Sequence, residues 1–525
     1  MSNEVGAEVK APEFTGWRAT LWPIHSYEMK KFIPLAIIMF TFLFNYTILR
    51  DTKDTLVVNS AGAGAITFLK TYCVTPMAIL FVIFYAKLTN CLNREQVFYA
   101  TITPFLVFFT LFGFVMYPNL DMLHPSVESV AAMHAAAPAL SGFIDIYAYW
   151  VFSLFYIMSE IWGSAMIALV FWQFANYVVR LRESKRFYGL FAVIGNAALL
   201  ISGPTVHFCS TGISEYVPAG INPWQFSLYL LMGAVLVMGV IGMYTYRWMQ
   251  TNVLNDKLYF DPDETKAPKK KKEKPGLIES FKMIMQSKEL LLIATLIMAY
   301  GVTINLMEVQ WKHQLGVYCK EAIGNVENAK DLVQALYNSK MGLFSTVNGL
   351  FAIFFGLFIG SQILRKTSWS FAAVITPLTI LIGGGLFFMF IISQGLMEPV
   401  LHMLNTNAAT AAAVLGFFIV VIAKSVKYTL FDPTKEMAYI PLSDEEKTKG
   451  KAAVDVIGGR AGKAGGAAVQ TWLLMAFATK DVVAIAPIAF GTFFVVAIAW
   501  VYAVKALSGR VAAATEKRAS EAKSA

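Results

Sequence analysis

Apolar stretches of about twenty residues recur along nearly the whole chain, each long enough to cross a bilayer as a helix. Inside lipid every backbone N–H and C=O must be satisfied within the segment, so these stretches admit few alternatives to transmembrane helices. The run Ile37-Ile38-Met39-Phe40-Thr41-Phe42-Leu43-Phe44 is free of charge and typical of them. Twelve spans are expected, at 32–56, 64–86, 97–117, 146–172, 188–210, 224–247, 289–311, 342–364, 369–393, 408–431, 452–477 and 481–506. Of the 525 residues, 57% are hydrophobic and only 15% charged, too few polar residues to cover the surface of a soluble domain. The fold class read from this pattern is an all-α polytopic membrane protein.

The connections alternate in charge. One side carries Lys87 and Arg94, then Arg180, Arg182, Lys185 and Arg186, then the linker with Lys269 to Lys272, then Arg365, Lys366, Lys447, Lys449, Lys451, Arg510, Lys517 and Arg518. The loops 118–145, 213–223 and 394–407 on the other side contain no Lys or Arg. The positive-inside rule therefore predicts cytoplasmic N- and C-termini. The net charge of +9 is explained by this topology, and nucleic acid is not an expected partner; the lipid bilayer is. Residues 1–31 mix Glu4, Glu8 and Glu13 with Lys10 and Arg18 and read as a cytoplasmic segment without a cleaved signal. The expected divisions are that segment, a six-helix half at 32–247, a basic cytoplasmic linker at 248–288, a second half at 289–506 and a tail at 507–525. Cys73, Cys91, Cys209 and Cys319 are isolated, so neither a disulfide framework nor a metal site is expected. His124 and His134, ten residues apart in the 118–145 loop, read as solvated loop residues.

The halves are weakly self-similar at an offset of about 260 residues. Glu183 to Gly195 lies opposite Glu446 to Gly458, with the acid, the basic cluster and a terminal Val-Ile-Gly in register, and Asn45 matches Asn305. Two six-helix halves of parallel repeat joined by a long loop form the pattern of major-facilitator-like transporters, whose substrate site lies between the halves near the midplane. Helices 1, 4, 7 and 10 are expected to line it.

Each of those four carries ionisable groups in apolar sequence: Arg50 and Lys53, Glu160, Glu308, and Lys424 with Lys427. One charge at a helix centre costs roughly 2.5–3.5 kcal/mol, so the set calls for a wet cavity with internal partners. Arg50 and Lys53 share a helical face with Tyr46 one turn earlier, and Asn305, Glu308 and Lys312 share another. Cations in excess of acids point to a polyanion, since Lys and Arg offset phosphate charge. Aromatic and amide groups at Tyr46, Asn196 and Asn305 are expected to take a base. Gly458, Gly462 and Gly466 recur at i, i+4, i+8, which suits close helix packing, while Arg460 and Lys463 between them are candidates to face the cavity. The string is not a P-loop, because no Gly stands five residues before Gly462 and Ala464 follows Lys463. Nucleophile elbows, zinc-binding HExxH and ATPase cassette motifs are absent, so no enzyme and no cofactor is expected.

Leu49-Arg-Asp-Thr-Lys-Asp54, Glu160-Ile-Trp-Gly-Ser164, Glu308-Val-Gln-Trp-Lys312, the run from Lys427 to Leu442 and Lys449-Gly-Lys-Ala-Ala-Val-Asp455 resemble the ATP/ADP translocase family of plastids and obligate intracellular bacteria. The resemblance spans all twelve helices. It implies exchange of external ATP for internal ADP across the bacterial inner membrane, driven by nucleotide gradients. Matching motifs imply that Lys53, Glu160, Glu308 and one of Lys449 and Lys451 are transport-critical, whereas repeat symmetry favours Lys427. The family also includes proton-coupled nucleotide importers, and a non-transporting receptor or scaffold is a further, distant alternative. Function as a monomer is expected.

Overall fold

The computed structural model describes residues 18, 22–213, 216–256, 259–260, 285–439, 442, 454 and 458–524. Eleven helices among them are long and apolar enough to cross a membrane. They are α1 (Ser26–Ser60), α2 (Ala63–Cys91), α3 (Arg94–Leu123), α4 (Trp150–Val178), α5 (Arg186–Gly212), α6 (Pro223–Asn252), α7 (Lys288–Ile323), α8 (Ala329–Lys366), α9 (Trp369–Ile392), α10 (Ala408–Ala438) and, last in the chain, α12 (Ala486–Val511). Between the last two lies α11 (Gly459–Ala476), an 18-residue helix on the eleventh expected span. Its glycines and the pair Arg460 and Lys463 lower its hydropathy, and it is held by close approach to α7 instead. A Cβ added at Gly462 would lie 2.8 Å from Met298 O, and one at Gly466 would lie 3.0 Å from Asn305 Cβ. These small residues let two backbones touch, as the i, i+4, i+8 spacing predicts.

Each half has its own core. Phe42, Phe105, Phe155 and Trp162 are buried together in the first, and Trp311, Phe387, Phe493 and Trp500 in the second. The division is not clean: Val57, Val58 and the start of α2 from Ala63 to Leu69 belong to the core of the second half. The chain thus crosses between halves at the α1–α2 turn, which is the end of α1 farthest from the N-terminus. We call this the far side and the opposite one the terminal side.

Contacts between halves are dense on the far side. At the α5–α8 seam a Cβ on Gly203 would lie 2.6 Å from Gly342 O, and one on Gly342 would lie 2.6 Å from Gly203 O. Nearby, Thr55 Oγ1 donates to Asn338 Oδ1 (3.0 Å) and Asn338 Nδ2 donates to Ser210 Oγ (2.9 Å). His207 Nδ1 and Ser339 Oγ lie 2.7 Å apart. On the terminal side, Lys31–Glu183 (2.9 Å) and Arg186–Glu28 (2.5 Å) tie α1 to the beginning of the α5 helix within the first half.

The 118–145 stretch is folded rather than a solvated loop. Its short helices Val127–Ala136 and Pro138–Ala148 meet at 118°. Phe143 packs edge-on against Phe68 at the far-side end of α2. His134 and Asp145 both meet the Lys480 ammonium at 2.9 Å, so the stretch clasps the other half. His134 is therefore a cross-half contact. Among the described residues no group of three His, Cys, Asp or Glu side chains is arranged to hold a metal ion.

Candidate functional site

Helices α1, α4, α7 and α10 bring their charges together. Lys53, 1% exposed, is the centre. Its Nζ lies 2.8 Å from Asp54 Oδ1 and 2.9 Å from Glu160 Oε1 on α4, and 3.9 Å above the Tyr156 ring. The other oxygen of Asp54 holds Lys312 on α7 at 2.8 Å. One carboxylate is therefore shared between a lysine of each half, buried where the halves meet. One turn toward the terminal side, Arg50 repeats the theme. Its Nε lies 3.0 Å from Asp51 Oδ1, its Nη2 donates to Ser345 Oγ on α8 (2.6 Å), and Ser345 Oγ donates to Asp51 Oδ2 (2.5 Å). The Arg50 guanidinium also sits 5.8 Å from the centre of the Tyr46 ring.

In the second half Glu308 pairs with Lys424 at 2.7 Å, and Lys424 lies 5.0 Å over Phe344. Lys427, one turn further along α10, pairs with Asp432 at 2.8 Å and covers the Tyr428 ring at 4.2 Å. The Glu160 side chain keeps 27% of its surface open although its partner is buried. That surface faces an internal, water-accessible space, because a carboxylate turned to lipid would be far too costly.

Lys70 on α2 escaped the sequence reading. It interacts electrostatically with Lys53, Glu160, Glu308 and Lys312, so it belongs to the same cluster. Its signal, a single cation inside Ile66-Thr-Phe-Leu-Lys-Thr-Tyr-Cys-Val74, equals that of Glu160. The expectation that helices 1, 4, 7 and 10 alone line the cavity passed over it. Lys463 on α11 also acts on Glu160, whereas Arg460, one turn nearer the terminal side, is exposed. Among the described residues of the cluster, Lys53, Lys70, Lys312, Lys424 and Lys463 outnumber Asp54, Glu160 and Glu308 by two.

The structure turns Asn45 and Asn305 away from this cluster. Asn305 is turned to α11, where its Oδ1 accepts from Gln470 Nε2 (3.3 Å). Its counterpart Asn45 donates to Val235 O on α6 (2.9 Å). Both hold helices together inside their own half. Asn196 lies on the α5–α8 seam, where a Cβ on Gly349 would come within 3.1 Å of its carbonyl oxygen. Lys449 and Lys451 lie outside the described residues. Of the residues proposed from sequence, Tyr46, Arg50, Lys53, Glu160, Glu308, Lys424 and Lys427 stand on the helices that form the cluster and its terminal-side approach.

The wide turns Leu69–Val74, Gly163–Phe171 and Lys427–Phe431 each begin within three residues of a site group. Such π-type turns re-aim side chains and concentrate at functional sites. Three further wide turns, Phe112–Met116, Phe208–Gly212 and Phe355–Gly360, lie away from the cluster.

Solved structures similar to the chain share its fold at low identity. The nucleoside transporter NupG matches with a TM-score of 0.55 at 10% identity, covering 90% of this chain and 99% of that one. The xylose transporter XylE from E. coli matches at 0.52 and 10% identity, covering 92% and 95%. These establish a major-facilitator-like architecture and nothing about substrate. Sequence similarity is far closer to another group. The chain is 44% identical to ADP,ATP carrier protein 1 of Rickettsia bellii, with 94% of this chain and 95% of the relative covered. It is 42% identical to ADP,ATP carrier protein 1 of Chlamydia pneumoniae, with 87% of each covered. The chloroplastic ADP,ATP carrier protein 1 of Arabidopsis thaliana is 39% identical, covering 92% of this chain and 74% of its own length. The sequence profile of the TLC ATP/ADP transporter family matches residues 7–511, a range that takes in every span and the whole lysine cluster. A match across both halves at once, on a fold that carries substrate between them, makes this chain a member of the TLC ATP/ADP transporter family.

Proposed function

We propose that the chain exchanges ATP for ADP by alternating access, with the nucleotide phosphates bound on the lysine cluster between the halves. The observation that carries this reading is the double use of Asp54, which neutralises Lys53 of one half and Lys312 of the other. Phosphate oxygens entering the cluster compete with Asp54 and Glu160 for the same ammonium groups. Phosphate on Lys53 and Lys312 takes over the role of Asp54, and the far-side tie between halves loosens.

This supplies a reason for exchange. In the empty carrier, separating Lys312 from Asp54 uncovers buried charge, and breaking such a pair costs about 3–5 kcal/mol. Bound phosphates repay that cost in either direction, so the halves rock rapidly only when loaded. A proton-driven carrier would need an acid free to take up a proton, whereas Glu160 and Glu308 are each held by a lysine at 2.9 and 2.7 Å. Direction then follows from the nucleotide gradients.

The basic connections support cytoplasmic termini, and the family's bacterial members favour the cell membrane as the site of the exchange. Both halves of the cluster come from one chain, which supports function as a monomer. The test is uptake of labelled ATP into liposomes bearing the purified chain, with and without ADP inside. Uptake that requires internal ADP supports the proposal, and equal uptake into empty liposomes rejects it.

A further inference from the structure

Tyr428 is an aromatic ring left open in the interior of a membrane protein. It is 49% exposed, and its interactions with Tyr46 and Arg50 of the first half point that surface into the space between the halves. It follows Lys424 at i+4, on the face of α10 that meets Glu308 and Phe344. It interacts electrostatically with Tyr46 and Arg50 of the first half and with Tyr300 of its own. Its neighbours hold it in place. The wide turn Lys427–Phe431 carries it, the Lys427 ammonium lies 4.2 Å over the ring, and Phe431 beyond it is wedged between Tyr300 and Trp500 at 5.5 and 5.3 Å.

The lysines bridged by Asp54 and the pair Tyr46 and Tyr428 lie at different levels of the cavity, with Arg50 and Lys427 beside the two rings. Lys53, Asp54 and Lys312 form the far-side end. Tyr46 lies seven residues from Lys53 along α1, a rise of about 10 Å. On α10, Tyr428 likewise lies one turn to the terminal side of Lys424. The Asp54-bridged lysines at one level and the Tyr46 and Tyr428 rings at another suit a ligand with phosphates at one end and a flat ring at the other. We propose that Tyr428 is the stacking platform for the nucleobase, with Tyr46 on the opposite wall and the phosphates on the far-side lysines. This rests on the nucleotide reading above and goes beyond it by assigning the base an end of the cavity and a residue. A base stacked on an aromatic ring gains interaction whatever its hydrogen-bonding edge, because every base has a π-face. Tyr428 therefore sets affinity for nucleotides over bare polyphosphates, and tolerates purine exchange.

The test compares the full-length parent, Tyr428→Ala and Tyr428→Phe for binding of ATP, GTP and inorganic tripolyphosphate, which has no base. Loss of a stacked base weakens binding by roughly tenfold to a hundredfold. We expect Tyr428→Ala to lose that factor for ATP and GTP and to bind tripolyphosphate as the parent does, while Tyr428→Phe keeps parental affinity for all three. Unchanged ATP binding in Tyr428→Ala, or equal losses for ATP and tripolyphosphate, overturns the assignment. If Tyr428→Ala does not fold, Tyr428→Leu, which keeps the bulk without the π-face, makes the same comparison. A parent that binds tripolyphosphate but gains nothing from the base also overturns the platform while leaving phosphate recognition in place. A parent that binds no nucleotide overturns the nucleotide reading itself.

Discussion

Replacing Lys312 by Gln isolates the shared carboxylate. In the parent, Asp54 holds Lys312 at 2.8 Å across the halves and Lys53 at 2.8 Å within its own helix. The substitution removes the cross-half partner and leaves Asp54 neutralised by Lys53, so folding of the first half is spared. Removing one partner of a buried pair destabilises the arrangement by about 3–5 kcal/mol, and the low end applies because Lys53 remains. A loss of about 3 kcal/mol from the state closed on the far side shifts its equilibrium roughly 150-fold toward opening. The empty carrier then reorients without phosphate, and strict exchange becomes leak. The assay is labelled ATP uptake into liposomes lacking internal nucleotide, with labelling of a cysteine placed at Asn59, near the far-side end of α1, in a background free of native cysteines. We expect uptake without internal ADP to rise at least tenfold over the parent and Asn59→Cys to become more reactive. If Lys312→Gln remains as dependent on internal ADP as the parent, with no change in labelling, the shared carboxylate does not lock the empty carrier.

Three further outcomes follow from the same geometry. Lys53→Gln should weaken ATP binding roughly 10- to 100-fold, the value of a charge-assisted hydrogen bond, while thermal unfolding of the purified chain shows an intact fold; parental ATP affinity would remove Lys53 from the phosphate site. Glu308→Gln frees Lys424 for phosphate, so equilibrium binding should hold or tighten while exchange slows at least tenfold, and equal losses in both assays would reduce Glu308 to a plain binding role. Gly342→Val puts methyl groups against Gly203 O and His207 N at the α5–α8 seam, where overpacking costs about 1–3 kcal/mol; exchange should fall with nucleotide binding retained, and parental exchange rates would show that the seam need not close tightly.

The architecture was legible because its cause is local. A span announces itself by some twenty apolar residues, and ten of the predicted spans overlap α1 to α10 almost throughout. The eleventh lies on α11, where glycine packing against α7 replaces hydropathy. The charged residues were legible for the same reason, since Lys53, Glu160, Glu308 and Lys424 interrupt apolar sequence. Their partners were not. Lys53 with Glu160 and Glu308 with Lys424 are separated by more than one hundred residues, and pairing depends on how four helices are rotated. Asn305 shows the converse. It shares a helical face with Glu308 and Lys312 by spacing, but Gly466 lets α11 approach so closely that Gln470 takes its side chain. Tyr428 stands in the run from Lys427 to Leu442, yet a tyrosine among aromatic residues gives no sign of being open until the surrounding helices are in place. The fold of 118–145 was hidden as well, because its clasp depends on Lys480, more than three hundred residues away.

The proposed mechanism makes phosphate the key that allows the halves to move, so that one nucleotide enters only as another leaves. Its most direct measurement is a double-label exchange in liposomes loaded with labelled ADP and given differently labelled ATP outside. We expect close to one ADP released for each ATP taken up, no release without external nucleotide, and little change when a proton gradient is collapsed. ATP accumulation with no matching ADP release, abolished by an uncoupler, would contradict it.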